Sequence, residues 1–108
     1  MPPYPKRGEV FLARLDKLRP VIILSVDSLN RQALDVSIVP VTTKEHAKFS
    51  MRIPLKAGDG GLDRDGWAKC DQITTLEKSL LKYPAIGLLP AEKFASVQEQ
   101  VKVALGLL

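Results

Sequence analysis

The clearest hydrophobic segment of the chain runs from Leu18 to Ser25 and contains four consecutive aliphatic residues, Val21 to Leu24. The run is too short to span a membrane, and Pro20 directly precedes it. Short apolar runs rich in β-branched residues are typical of strands that are buried on both faces. The pattern therefore predicts a central core strand. Arg19 lies at its entrance, where the following proline restricts the backbone to an extended conformation.

Alternating and β-branched segments predict further strands on both sides of this one. These predicted strands are Val10 to Leu15, Leu34 to Val41, Ser50 to Leu55, Trp67 to Thr74 and Ile86 to Leu89. Only three residues separate the first of them from the strand at Arg19, so we expect an antiparallel hairpin there.

Helical segments are few before the C-terminus. The residues from Asp27 to Asn30 predict a single helical turn or a loop, and Thr75 is a candidate cap for a short helix over Leu76 to Leu81. Beyond Pro90, apolar residues recur at steps of three and four and predict an amphipathic helix packed on the sheet. They are Phe94, Val97, Val101, Ala104, Leu105 and Leu108.

These elements predict a mainly β fold with short helices, of the α+β class. We expect a small, strongly curved antiparallel sheet or partly open barrel of the SH3-like kind, closed by the C-terminal helix. Residues 1–6, rich in proline, predict a loose tail, and residues 7–108 a single domain. The glycine-rich segment from Lys56 to Asp65 predicts a surface loop.

The composition of the chain excludes some classes of function. The 108 residues carry 16 Lys and Arg against 12 Asp and Glu, a basic balance that permits a polyanionic partner. One cysteine, Cys70, excludes an internal disulfide and, with a lone His46, leaves too few ligands for a zinc site, so we expect no metal and no cofactor. With neither a signal peptide nor a spanning apolar run, we expect a cytoplasmic protein that does not enter membranes.

The polar residues that could carry out chemistry lie at the ends of predicted strands. Strand ends that are far apart in sequence can converge on one rim of a small barrel. The polar residues there are Arg19, Thr42, Thr43, Lys69 and Asp71. Two cations, two hydroxyls and a carboxylate suit a phosphodiester, because cations neutralise charge that grows on the phosphate while an acid and a base move protons.

Six short segments, in order along the chain, resemble the MazF/PemK (Kid) family of toxin ribonucleases. They are Arg7-Gly8-Glu9-Val10-Phe11, Arg19-Pro20-Val21-Ile22-Ile23-Leu24-Ser25, Asn30-Arg31, Pro40-Val41-Thr42-Thr43, Cys70-Asp71-Gln72-Ile73 and Ala104-Leu105-Gly106-Leu107. The resemblance implies a homodimer of SH3-like barrels and the toxin role in a toxin–antitoxin pair. It also implies metal-independent cleavage of single-stranded RNA, commonly mRNA, through attack of the ribose 2'-OH, which DNA lacks. The implied partner is an antitoxin with an acidic, disordered tail.

The same resemblance implies roles for individual residues. Arg19 matches the family's arginine before proline and would contact the phosphate and the transition-state charge, with proton transfer as a further role. Thr42 would supply an orienting hydrogen bond. Asp71 is a candidate base, and Lys69, where PemK-like members have arginine, is a phosphate contact or a weaker acid. The remaining predicted substrate contacts are Thr43, Gln72, Asn30 and Arg31.

Alternatives stay open at this level. Arg19 could pair with Glu9 across the hairpin, and Asp71 could cap a turn or pair with Lys69. The family usually has a long loop between its first two strands, and only three residues stand there in this chain. A non-catalytic toxin resembling CcdB, which acts on DNA gyrase, and an inactive RNA-binding module are therefore the competing functions.

Overall fold

A computed structural model describes residues 3–44 and 51–107. Within these residues, seven strands form one antiparallel sheet in which β4, β5, β3, β2, β1 and β7 are successive neighbours and β6 pairs with β3. The strands are β1 (Glu9–Arg14), β2 (Leu18–Ile23), β3 (Asp35–Thr42), β4 (Arg52–Leu55), β5 (Gly66–Lys69), β6 (Thr74–Glu77) and β7 (Leu81–Leu88). The helices are α1 (Asp27–Gln32) and α2 (Ala91–Leu105), with 3₁₀ turns at Asp59–Gly61 and Lys78–Leu80.

Strand β2 lies in the middle of the sheet and is buried on both faces. Val21, Ile22 and Ile23 are each 0% exposed. Ile22 belongs to the apolar cluster that includes Val97 of α2, and Val21 and Ile23 belong to a second cluster with Phe11 on the opposite face. Burying an aliphatic side chain contributes about 1.5–3 kcal/mol, so β2 is a main source of stability. The predicted core strand and hairpin are both confirmed.

The sheet is strongly curved and is not closed into a barrel. Strand β3 bends between two partners, since its first half, Asp35 to Ile38, pairs with β6 and its last residues, Val41 and Thr42, pair with β5. With the C-terminal helix α2 packed on one face, this arrangement confirms the predicted fold class.

The region after Trp67 differs from the prediction. A turn at Cys70 and Asp71 divides the predicted strand Trp67 to Thr74 into β5 and a separate β6. The predicted helix from Leu76 to Leu81 is wrong, because only Lys78–Leu80 forms a 3₁₀ turn. Pairing of β6 with β3 supplies backbone hydrogen bonds and buries Leu76, and this tertiary pairing overrides the local preference for helix.

Strand β7 is longer than the predicted strand Ile86 to Leu89. It begins at Leu81 because its first residues pair with Leu12 and Ala13 of β1, before the register of the two strands shifts between Leu12 and Val10. Further along β7, Gly87 packs backbone to backbone on the 3₁₀ turn Asp59–Gly61, with room for no side chain at Gly61 or Gly87. The predicted loop Lys56 to Asp65 thus contains a turn fixed against β7.

Two residues of the predicted N-terminal tail are at least partly covered by the rest of the fold. Pro5 is buried and Tyr4 is half-buried, and the division of the chain at residue 6 stays a prediction. His46 and Ser50 lie outside the described residues. No helix in the described ranges has the length and apolar character needed to cross a membrane.

Candidate active site

Arg19 is held by a carboxylate from its own hairpin. Its Nε donates to Oδ1 of Asp16 at 2.7 Å, and its Nη2 donates to Oδ2 at 2.8 Å. Asp16 lies in the three-residue turn between β1 and β2. Such two-pronged contacts fix the plane of a guanidinium. Arg19 therefore pairs with Asp16 rather than with Glu9, whose Oε1 accepts from the backbone N–H of Lys6.

This contact sets the protonation of both groups. Hydrogen bonds from Arg19 hold the pKa of the Asp16 carboxyl well below its ordinary value, and the same contact raises the pKa of Arg19. A carboxyl with a lowered pKa stays ionised as the pH falls through the usual aspartate range. The ion pair is therefore complete at neutral and mildly acid pH and breaks only in strong acid.

A carboxyl-carbon NMR titration tests this pair directly. In the native protein, Asp16 should stay ionised well below pH 4. In Arg19→Ala its pKa should return to about 3.9, the value of an unperturbed aspartate. Arg64→Ala is the matched control, since Arg64 contacts Asp63 rather than Asp16, and the pKa of Asp16 should stay low in that variant. An Asp16 pKa that is the same in the native protein and in Arg19→Ala would contradict the contact.

Arg19, Thr42 and Lys69 share one face of three neighbouring strands. Strands β2 and β3 pair with Val21 opposite Pro40. Arg19 and Thr42 lie two residues beyond this pair, one on each strand, and so project to the same side of the sheet as Val21 and Pro40. Thr42 is in turn opposite Trp67 of β5. Because opposite residues project to the same side of a sheet, and side chains two residues apart do so as well, Lys69 joins this face. It is the face opposite α2.

Thr42 is half-buried at the end of β3, and its hydroxyl has one hydrogen bond within the described residues. Oγ1 accepts from the backbone N–H of Lys44 at 3.1 Å. An O–H group that accepts one bond can still donate another, so the hydroxyl can orient a ligand oxygen. Thr43, the next residue, is exposed.

Asp71 and Gln72 lie in the turn that follows β5, next to this face. Both side chains are exposed, and the Gln72 N–H donates to the Lys69 carbonyl at 3.0 Å to close the turn. In residues 3–44 and 51–107, Asp71 forms no ion pair, with Lys69 or any other cation. Cys70, between Lys69 and Asp71, is buried in the core, and burial raises the pKa of its thiol to about 11. The thiol is therefore protonated and is not a nucleophile.

The structure places Asn30 and Arg31 away from this group, in α1. Asn30 is 0% exposed, its Nδ2 donates to the Ser25 carbonyl at 2.8 Å, and the Ser25 hydroxyl donates to its Oδ1. Arg31 lines a cavity of about 740 Å³ with Glu9, Phe11 and other residues at the opposite end of β1. Neither residue enters the proposed site.

Replacing Asn30 with alanine tests the structural role. The change removes both side-chain contacts with Ser25 and leaves buried polar groups without partners, which costs about 1–3 kcal/mol. We expect a lower free energy of unfolding in urea, with Arg31→Ala, an exposed neighbour, as the control. Full stability of Asn30→Ala together with lost RNA affinity would instead make Asn30 a substrate contact.

Two residues of this region were missed at the level of sequence. Asp16 contacts Arg19 because a turn of three residues folds both back to the same side. Arg52 lies directly opposite Lys69 in the pair of β4 and β5. The short connection was a signal for Asp16, whereas Arg52 depends on a strand register that the sequence did not reveal.

The chain matches known proteins along nearly its whole length. A family model described as the PemK-like, MazF-like toxin of type II toxin-antitoxin systems matches residues 6–105. The chain belongs to this family. Its six resembling segments, including the one that begins at Arg19, all lie within or overlap the matched range.

Individual members of the PemK-like, MazF-like family agree in sequence and fold. Endoribonuclease MazF of Staphylococcus saprophyticus is 29% identical over 111 residues, which is 94% of this chain and 92% of that protein. The Mycobacterium tuberculosis toxin MazF-mt6 is 28% identical with a TM-score of 0.82, over 92% of this chain and 97% of the other. A mycobacterial endoribonuclease solved in complex with its cognate antitoxin is also 28% identical, with a TM-score of 0.85 over 96% and 97% of the two chains.

Proposed function

We propose that this chain is the toxin of a type II toxin–antitoxin pair and cleaves single-stranded RNA as an endoribonuclease. The observation that carries the proposal is the shared face of Arg19, Thr42 and Lys69 in a chain that matches the family over residues 6–105. A relative with this fold is named an endoribonuclease. Arginine and lysine side chains suit a phosphodiester, and a hydroxyl suits the orientation of its oxygens.

In the proposed reaction the ribose 2'-OH attacks the adjacent phosphate. The bond between O2' and phosphorus forms, the bond between phosphorus and O5' breaks, and the products carry a 2',3'-cyclic phosphate and a 5'-OH. Arg19 stabilises the charge that develops on the phosphate oxygens, and Thr42 orients one of them. The 2'-OH proton goes to Asp71, and the O5' leaving group takes a proton from an acid, for which Lys69 is the candidate. Contact with Asp16 raises the pKa of Arg19, so its guanidinium stays protonated.

Asp16 is a poor candidate for the base in spite of its position. A general base works best when its pKa lies near the working pH, and hydrogen bonds from Arg19 lower the pKa of Asp16. Asp16 instead holds the guanidinium of Arg19 in place. The contact uses Nε–H and one Nη2 N–H, so the other N–H donors of the guanidinium are left for a phosphate.

The partners follow from the family and from charge. We propose a cognate antitoxin with an acidic segment that covers the basic face, as the mycobacterial relative was solved with its antitoxin. We also propose that the chain works as a homodimer in the cytoplasm. Several apolar side chains are exposed on the monomer, among them Leu88, Leu105 and Leu107, and this exposed apolar surface supports a dimer that covers part of it.

The deciding experiment compares a long single-stranded RNA with a DNA of the same sequence, both with purified protein in EDTA. Cuts in the RNA alone, with cyclic phosphate ends, would establish the ribonuclease and its independence from divalent metal. Absence of cutting in both polymers would overturn the proposal, and a gyrase assay would then test the CcdB-like alternative.

A further inference from the structure

Two cations lie directly opposite each other on β4 and β5, beside the proposed active site. Arg52 is the register partner of Lys69 in this antiparallel pair. Like charges at opposite positions of two strands repel and destabilise a sheet. An anion bound between the two side chains would remove this repulsion.

The Arg52 guanidinium has polar atoms without partners. Its Nε and Nη1 are buried, and they have no hydrogen-bond acceptor within the described part of the chain. Buried donors in native proteins nearly always have an acceptor. An anion that reaches these two nitrogen atoms would supply the missing acceptor.

An aromatic side chain lies between this pair of cations and the active site. Trp67 is half-buried, two residues before Lys69, and opposite both Thr42 and Pro54 in its two strand pairs. It therefore shares the face of Arg19 and Thr42. A basic surface with an aromatic ring at its centre is the usual arrangement for binding single-stranded nucleic acid, because every base can stack on the ring.

The spacing of the strands separates the backbones of Arg19 and Arg52. Arg19 on β2 and Arg52 on β4 are three strand spacings apart, which is roughly 14 Å. Asp16 holds the Arg19 guanidinium in its own hairpin, away from β4 in the order of strands. We therefore assign Arg52 to a neighbouring phosphate of an RNA strand that is held by Arg19.

We propose that Arg52 binds a phosphate next to the scissile one and that Trp67 stacks on the base between them. Lys69 lies between the two phosphate positions. This inference rests on the proposed function and deepens it, because it assigns the path of the RNA beyond the cleavage site. Neither contact involves the 2'-OH, so the site binds any single-stranded polynucleotide.

The test uses a fluorescent single-stranded oligonucleotide made of 2'-O-methyl RNA, which cannot undergo the cleavage reaction. Arg52→Gln should weaken its binding about tenfold, as for the loss of charge-assisted hydrogen bonds. It should also reduce the slope of log affinity against log salt by about 0.7, as for one lost phosphate contact on a single strand. The control is Lys102→Gln on α2, which removes the same charge from the opposite face. Equal affinities and slopes in the two variants would overturn the site.

Thermal unfolding separates binding from folding. Arg52→Gln should melt at the same temperature as the native protein or higher, because it removes two buried N–H groups that lack an acceptor within the described residues. A lower melting temperature together with weaker binding would make Arg52 a structural residue and overturn the inference.

Trp67 reports on its own contact, since it is the only tryptophan in the chain. Its fluorescence should be quenched as the oligonucleotide binds, and the quenching should saturate with the same dissociation constant as the labelled strand. Unchanged fluorescence at full binding would overturn the stacking contact. If the native protein binds the oligonucleotide with these properties but cuts no RNA, the ribonuclease proposal fails and the phosphate site stands.

Discussion

Replacing Arg19 with alanine is expected to lower the rate of RNA cleavage by about 100- to 1000-fold, the usual cost of removing one group that stabilises transition-state charge. The effect should fall on kcat more than on KM, because the developing charge is greatest in the transition state. The measurement is single-turnover cleavage of a short RNA in EDTA. Folding should be unaffected, since the Arg19 side chain is half-buried and its ion pair with Asp16 is exposed.

Two further variants make this prediction specific. Arg19→Lys keeps the charge and loses the two-pronged contact with Asp16, so it should recover only part of the rate. Arg64→Ala removes an exposed arginine from the loop before β5 and should cleave like the native protein. Full activity of Arg19→Ala would exclude the proposed reaction, and an equal loss in Arg64→Ala would point to general electrostatics.

Replacing Gly61 with alanine is expected to destabilise the fold by roughly 3 kcal/mol or more. Gly61 has a φ of 82°, a backbone conformation that residues with a side chain rarely adopt. A Cβ there would also overlap the carbonyl oxygen of Ile86 in β7. Because that oxygen belongs to backbone, it cannot move aside as a flexible side chain could. The free energy of unfolding in urea measures the effect.

Gly58→Ala is the matched control for this prediction. Gly58 has a φ of 97° in the same loop, but no atom lies within 4 Å of a Cβ built there. Its substitution therefore tests backbone strain alone and should cost about 1–2 kcal/mol. Equal losses for the two variants would show that the close approach to β7 contributes nothing.

Much of the fold was predictable because its strongest elements are local in sequence. The apolar, β-branched composition of Val21 to Ile23 is enough to predict a buried strand. The connection of three residues to β1 is too short for any arrangement except an antiparallel hairpin. The C-terminal helix follows from the spacing of its apolar residues. For these elements, local pattern and tertiary packing favour the same structure.

The elements that were predicted wrongly depend on distant partners. Residues Thr74 to Glu77 form a strand only because β3 bends and presents its first half to them. Strand β7 extends back to Leu81 only because Leu12 and Ala13 of β1 are there to pair with it. The hydrophobic pattern within either segment does not reveal which strand will pair with it.

The candidate site divides in the same way. Arg19, Thr42 and Asp71 were predicted from a resemblance between motifs, and strand register then placed Arg19 and Thr42 on one face. Arg52 escaped notice because its significance lies in a position opposite Lys69, seventeen residues further along the chain. Single residues can be proposed from motifs, whereas pairs across strands require the register.

The short turn between β1 and β2 has a consequence for how fast the protein can engage RNA. A long active-site loop must often close over a substrate before reaction, and such closure takes microseconds to milliseconds. In this protein the residue that orients Arg19 is only three positions away, in a hairpin with almost no conformational freedom to lose. Association with RNA should therefore be limited by diffusion and by the charge of the basic face, so that its rate falls with added salt and shows no lag from ordering of the turn between β1 and β2.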